Sequence, residues 1–155
     1  MSNTLLIREG RTAEILLVED NRGDAMLAAR AFKDAAIANH LRHASTGEEA
    51  MAMLRGEGDF AGQRLPDIIL LDLNLPKMDG KTVLSEIKAD ARLRHIPVIV
   101  LSSSVAEQDI AKSYNLHASA YVIKPLDLDT FRKVVSTIEQ FFFFLVILPD
   151  PDFAA

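Results

Sequence analysis

Residues 67–76 read Asp67-Ile68-Ile69-Leu70-Leu71-Asp72-Leu73-Asn74-Leu75-Pro76. The aliphatic residues of 68–71 form a continuous run rather than an alternating one, the pattern of a strand buried on both faces of a parallel sheet. The run stops on a carboxylate, Asp72, and Pro76 forbids regular continuation. In open α/β sheets, ligands gather at the carboxyl ends of strands. Asp72 is therefore a candidate for chemistry rather than a solvated surface charge.

Four further strands flank this one. Ile15 to Val18 is a buried run ending on Glu19-Asp20, Leu41 to Ala44 is a weaker one, Pro97 to Leu101 ends on Ser102, and Ala120 to Ile123 ends on Lys124-Pro125. Helical stretches lie between them. The first opens at Gly23-Asp24 with Met26, Leu27, Ala31 and Ile37 as its apolar stripe. The second is capped by Ser45 or Thr46 and carries Ala50, Met53 and Leu54. The third starts at Asp79-Gly80 with Val83, Leu84 and Ile87. A capping box of Ser104 and Glu107 opens the fourth. Asp127 or Asp129 opens the fifth, striped by Leu128, Phe131, Val134, Val135, Ile138, Phe141 and Phe142. Residues 56–66, marked by Gly and Pro, read as a loop. Five repeats of strand then helix predict a doubly wound α/β domain with a five-stranded parallel sheet and five helices.

Composition narrows the chemistry. The chain has 155 residues, 49% hydrophobic and 25% charged, as expected of one globular domain. It has no cysteine, which excludes disulfides, thiolate metal sites and a Cys nucleophile, and fits a cytoplasmic protein. A formal charge of −5 argues against nucleic acid as the main partner. The longest apolar run, Phe141 to Leu148, is far below the ~20 residues that span a bilayer, so no membrane role is expected.

In a parallel sheet all carboxyl ends lie on one edge. That edge gathers Glu19, Asp20, Asp72, Ser102 and Lys124. One lysine cannot neutralise three carboxylates, and a divalent cation with oxygen ligands can; Mg²⁺ suits the set and readily shares a phosphoryl oxygen. Lys124 can pair with another phosphoryl oxygen and Ser102 can donate to a third. Phosphoryl transfer requires mainly positioning and charge neutralisation. Asp72, on the central strand, is the expected nucleophile, and its aspartyl phosphate, a mixed anhydride, would be labile.

These residues resemble the response-regulator receiver domains of two-component signalling. The resemblance rests on Glu19-Asp20, on Asp72 within LLDLNLPKMDG, on Ser102 placed 30 residues after Asp72, and on Lys124-Pro125 placed 22 residues after Ser102. It covers residues 14–140, with 1–13 as an N-terminal extension and 141–155 as an apolar tail. It implies a flavodoxin-like strand order of 2-1-3-4-5. Asp72 is then the phosphoacceptor, with Asp20, Asp72 and the backbone carbonyl of Asn74 as Mg²⁺ ligands and Glu19 in the outer shell. Ser102 and Lys124 contact the phosphoryl group, and Tyr121 is an aromatic switch. The phosphodonor is a histidine kinase, since His40, His43, His95 and His117 read as surface or edge residues. The domain promotes its own phosphorylation and dephosphorylation without being an enzyme acting on other substrates. The stretches VEDNRGDAMLAARAF, DLNLPKMDGKTVLSEIKAD and RHIPVIVLSSS, with loop 56–66, further resemble the small receivers paired with phytochrome-type histidine kinases.

Four consecutive phenylalanines, Phe141 to Phe144, cannot share one helix face, because successive residues turn by about 100°. With Leu145 they are expected to form a homodimer interface. The remainder of the chain is too short for an output domain, so a stand-alone receiver is expected, acting through protein contacts or passing its phosphoryl group to a phosphotransfer protein. A phosphate sink without a downstream target has the same signature. A Mg²⁺-dependent phosphatase of the haloacid-dehalogenase type needs an acid two residues after its nucleophile, where this chain has Asn74. A flavin module needs a phosphate-cradling loop after strand one, where this chain has Glu19-Asp20.

Overall fold

The computed structural model describes residues 12–103, 105–106, 118–124 and 127–147, the last seven by backbone alone. Five strands form one parallel sheet in the order β2-β1-β3-β4-β5. They are β1 (Ala13–Val18), β2 (Asn39–Ala44), β3 (Ile68–Asp72), β4 (Val98–Ser102) and β5 (Ala120–Ile123). The helices α1 (Arg22–Lys33), α2 (Gly47–Arg55) and α3 (Gly80–Ala89) alternate with them, and a C-terminal helix spans Leu128–Ile147. The expected fourth helix and its Ser104–Glu107 capping box lie outside the described residues, save the helical pair Val105 and Ala106. Among the described residues, no helix is long and apolar enough to cross a membrane.

The continuous aliphatic runs supply both faces of the sheet. Leu16, Val18, Ile69, Leu71, Val98 and Val100 face Ala50, Met51 and Leu54 of α2 and Val83, Leu84 and Ile87 of α3. Ile15, Leu17, Ile68, Leu70, Ile99 and Leu101 face Ala25, Ala28, Ala31 and Phe32 of α1 and Phe131, Val135 and Ile138 of the C-terminal helix. Alternate residues of one strand thus enter two separate cores. Phe32 and Phe131 meet edge to face, with centroids 6.4 Å apart, where α1 packs on the C-terminal helix.

Two expected helix stripes are corrected. Met26 is 69% exposed and Leu27 only half-buried. The buried face of α1 is Ala25, Ala28, Ala31 and Phe32. Small alanines let the helix backbone approach the sheet, so Met26 and Leu27 do not mark its inner face, which the alanines share with Phe32. Ile37 lies beyond the helix, which ends at Lys33 with Asp34 as its C-cap. In α2 the buried methionine is Met51 rather than Met53.

The caps are more specific than the expectation. Thr46, not Ser45, caps α2, its hydroxyl accepting from the Glu49 N–H at 3.0 Å. Asp127 opens the C-terminal helix by accepting from the Thr130 N–H at 2.6 Å. Loop 56–66 contains a single 3₁₀ turn, Gly58–Phe60, entered through Gly56 in the left-handed region at φ 66°. Strand β1 begins at Ala13, inside the expected N-terminal extension, and the C-terminal helix continues through 141–147 without a break at 140. The side chains of Phe141, Phe142, Phe143, Phe144 and Leu145 lie outside those described.

Candidate functional site

The sheet register brings the site together. Val18 lies beside Leu71, and Leu101 beside Asp72. Pairing continues past the strands: the Glu19 N–H donates to the Ala44 carbonyl at 3.0 Å, that of Leu73 to Leu101 at 2.9 Å, and that of Lys124 to Ser102 at 2.6 Å. The backbones that carry the acids and the lysine are therefore fixed by the ladder, not by free loops. Glu19, Asp72 and Ser102 are buried, and Asp20 is exposed.

Glu19, Asp20 and Asp72 each offer a carboxylate oxygen within 4.8 Å of the others. At that separation two full charges repel by roughly 1 kcal/mol in water and about 3–4 kcal/mol at an effective dielectric near 20. The Lys124 ammonium reaches Glu19 Oε1 at 2.5 Å, Asp24 Oδ2 at 2.8 Å and Asp72 Oδ2 at 3.3 Å. Burial pulls the Lys124 pKa down, but hydrogen bonds and charge from Asp24, Glu19 and Asp72 outweigh it and hold the pKa above the ordinary lysine value. Burial, aided by the hydrogen bond to Asp72, raises Glu19 to about 7 despite Lys124. One ammonium thus serves three acids, with Asp20 beside them, and the cluster retains excess negative charge. Its donors are hard carboxylate oxygens, one of them solvent-exposed, and this set fits a divalent cation.

The flanking loops finish the site. Asp72 Oδ1 accepts from the Asn74 N–H at 2.9 Å, which orients the carboxylate. The Asn74 side-chain amide donates to the Ser103 hydroxyl at 2.7 Å, tying the β3–α3 loop to the end of β4. Asn21 caps α1 by accepting from the Asp24 N–H at 2.9 Å, and its own N–H donates to Glu19 Oε2 at 3.2 Å. The N-terminus of α1 is thereby held against the acids. His43 on β2 donates from Nε2 to the Glu19 carbonyl at 2.6 Å, and His40 pairs with Glu14. His43 and His40 stand on the edge strand as expected, His95 is exposed, and His117 lies outside the described residues.

All five expected strand-end residues converge: Glu19, Asp20, Asp72, Ser102 and Lys124. Tyr121 is half-buried on β5 beside Val100 and packs against the core under α2 and α3. Two further residues take part. Asp24 is expected only as a helix-start residue, yet it is an ion-pair partner of Lys124. Gly80 is expected only as a helix start, yet a Cβ there would lie 2.4 Å from the Asp72 carbonyl oxygen and 2.5 Å from Leu73 Cα. Only a glycine lets α3 start directly against the backbone of Asp72.

Known proteins are similar to this chain in sequence and fold. The family described as the response regulator receiver domain matches residues 15–136. The response regulator Rcp1 of Synechocystis is 43% identical over 135 residues, covering 87% of this chain and 92% of Rcp1. The crystal structure of the phosphorylated cyanobacterial phytochrome response regulator RcpA superposes with a TM-score of 0.78 at 45% identity, covering 90% of this chain and 99% of that one. The Mn²⁺-bound form of Rcp1 gives a TM-score of 0.76 at 42% identity, covering 89% and 99%. With its sheet order, its strand-end acids and these likenesses taken together, the chain belongs to the response regulator receiver domain family.

Proposed function

We propose that this protein is a single-domain response regulator that takes a phosphoryl group from a phosphohistidine of a histidine kinase onto Asp72. The observation that carries this reading is the meeting of Asp72 with Glu19, Asp20 and Lys124 on one sheet edge. A carboxylate oxygen of Asp72 attacks phosphorus, the phosphorus–nitrogen bond breaks, and the imidazole nitrogen keeps the bonding pair. Water attack on the same phosphorus later returns the carboxylate and inorganic phosphate. The domain thus promotes its own phosphorylation and dephosphorylation and acts on no other substrate.

Asp20 and Asp72, with the Asn74 carbonyl, would hold Mg²⁺, and Glu19 would stand behind them. When bound, the cation neutralises charge that develops on the phosphoryl oxygens. Lys124 supplies positive charge from the other side, and the Ser102 hydroxyl donates to the phosphoryl group once it is in place. Tyr121 then follows Ser102 inward, changing the face formed by β5 and the C-terminal helix. Output goes through protein contacts on that face or to a phosphotransfer protein.

The likeness to Rcp1 and RcpA supports a phytochrome-type kinase as the donor. The apolar stretch 141–145 supports a homodimer built on the extended C-terminal helix. The phosphatase reading finds no support at Asn74, whose amide donates to Ser103 where an acid would be needed.

Incubation with Mg²⁺ and acetyl phosphate, followed by intact mass, tests the core of the proposal. The protein should gain the mass of one phosphoryl group, and Asp72→Asn should gain none. Retention of that gain in Asp72→Asn overturns the assignment.

A further inference from the structure

Asp24 lies at the third position of α1, where an acid is ordinary because it favours the positive helix end. Here its carboxylate does something more specific. The Asn21 cap fixes the Asp24 backbone, and α1 begins three residues after the buried Glu19. The side chain therefore enters the same crevice as the strand-end acids. Its Oδ2 lies 2.8 Å from Lys124 Nζ, closer than the 3.3 Å from that ammonium to Asp72 Oδ2.

An ammonium has three protons, and Lys124 already meets three carboxylates: Glu19, Asp24 and Asp72. A phosphoryl group on Asp72 brings new anionic oxygens that require Lys124. Glu19 is buried at the end of β1, whereas the Asp24 side chain is 29% exposed at the crevice rim. Water can replace Lys124 at Asp24 far more readily than at Glu19. The contact to Asp24 is the one that can be given up.

We infer that Asp24 is a positioning residue that shares the Lys124 ammonium in the resting protein and competes with the phosphoryl group for it. The inference rests on Asp72 being the phosphoacceptor. Asp24 touches no reacting atom; it acts through Lys124. By holding Lys124 and adding a negative charge near Asp72, it weakens the phosphorylated state. The acid thereby favours a return to rest.

Beryllofluoride, a non-covalent mimic of a phosphoryl group on aspartate, gives an equilibrium readout. Its affinity for the full chain is measured at saturating Mg²⁺ in wild type, Asp24→Asn, Asp24→Glu and Asp72→Asn. In parallel, the Lys124 side-chain resonance is followed by NMR in ¹³C-lysine-labelled protein. Asp24→Asn should bind roughly three- to tenfold more tightly. Asp24→Glu, which restores the charge, should return towards wild type. The gain should shrink as salt screens the pair. The Lys124 resonance should shift in Asp24→Asn before ligand is added, and should shift on beryllofluoride binding in wild type. Unchanged affinity in Asp24→Asn overturns the inference. So does a gain with an unmoved Lys124 resonance, which would make Asp24 a remote charge only. If wild type binds no beryllofluoride, or Asp72→Asn binds it equally, the phosphoacceptor reading itself fails and this inference falls with it.

Discussion

Glu19 is the acid whose burial has the plainest consequence in solution. Its carboxyl is pushed from its ordinary value of 4.5 to about 7, first by desolvation and then by Asp72. A raised carboxyl pKa means that the folded protein holds this proton more tightly than the unfolded chain. The stability it contributes is fully present below pH 4.5 and is lost as pH rises through about 7. In protein stripped of metal, unfolding free energy should fall across that window by on the order of 3 kcal/mol. Glu19→Gln should flatten the fall, as read by urea titrations at several pH values. Adding Mg²⁺ at about a hundred times its dissociation constant should restore about 2.7 kcal/mol. Asp20→Ala should remove most of that recovery, because it deletes the exposed member of the acidic trio. At this scale the site was largely legible. Glu19, Asp20, Asp72, Ser102 and Lys124 each follow an apolar strand, and parallel strands deliver their ends to one edge. Asp24 was not legible, because an acid in a first helical turn is explained without any partner.

At the scale of elements, the contact between α3 and β3 is set by one missing atom. The Gly80 N–H donates to the Leu73 carbonyl at 3.1 Å, and a Cβ on Gly80 would overlap backbone atoms of Asp72 and Leu73. Backbone cannot swing aside as a side chain can. Gly80→Ala should cost at least the 1–3 kcal/mol of an overpacked core, measured by chemical denaturation, and should slow phosphorylation by displacing Asp72. Helix α1 offers a paired test. Ala28 is fully buried against the sheet, whereas Met26 is 69% exposed. Ala28→Leu should destabilise by about 1–3 kcal/mol, and Met26→Lys should stay within about 0.5 kcal/mol. The same pair shows where the sequence was ambiguous. The strands were readable because continuous aliphatic runs require cover on both faces. In α1, the alanines with Phe32 lie on one face and Met26 and Leu27 turn away from it, and only close helix–sheet packing selects the alanine face. The same ambiguity hid Met51 behind Met53 in α2.

At the scale of the whole molecule, two cores on opposite faces of one sheet leave little of the fold dependent on the chain's end. Phe131, Val135 and Ile138, which seat the C-terminal helix, all precede Gln140. The helix nevertheless continues to Ile147, projecting about 10 Å past that point at 1.5 Å per residue. This extension is uniformly apolar in sequence from Phe141 to Ile147. A second copy could cover such a length of apolar helix. A chain ending at Gln140 should therefore keep its circular dichroism spectrum and a cooperative thermal transition. In light scattering it should show the monomer mass, while the full chain shows twice its own. A shortened chain that still doubles its mass would place the interface on other surfaces. Loss of the folded spectrum would instead assign the extension to the core of its own subunit. Phosphorylation of the shortened chain by acetyl phosphate should proceed unchanged, because Glu19, Asp20, Asn74 and Lys124, which surround Asp72 among the described residues, lie before the truncation point.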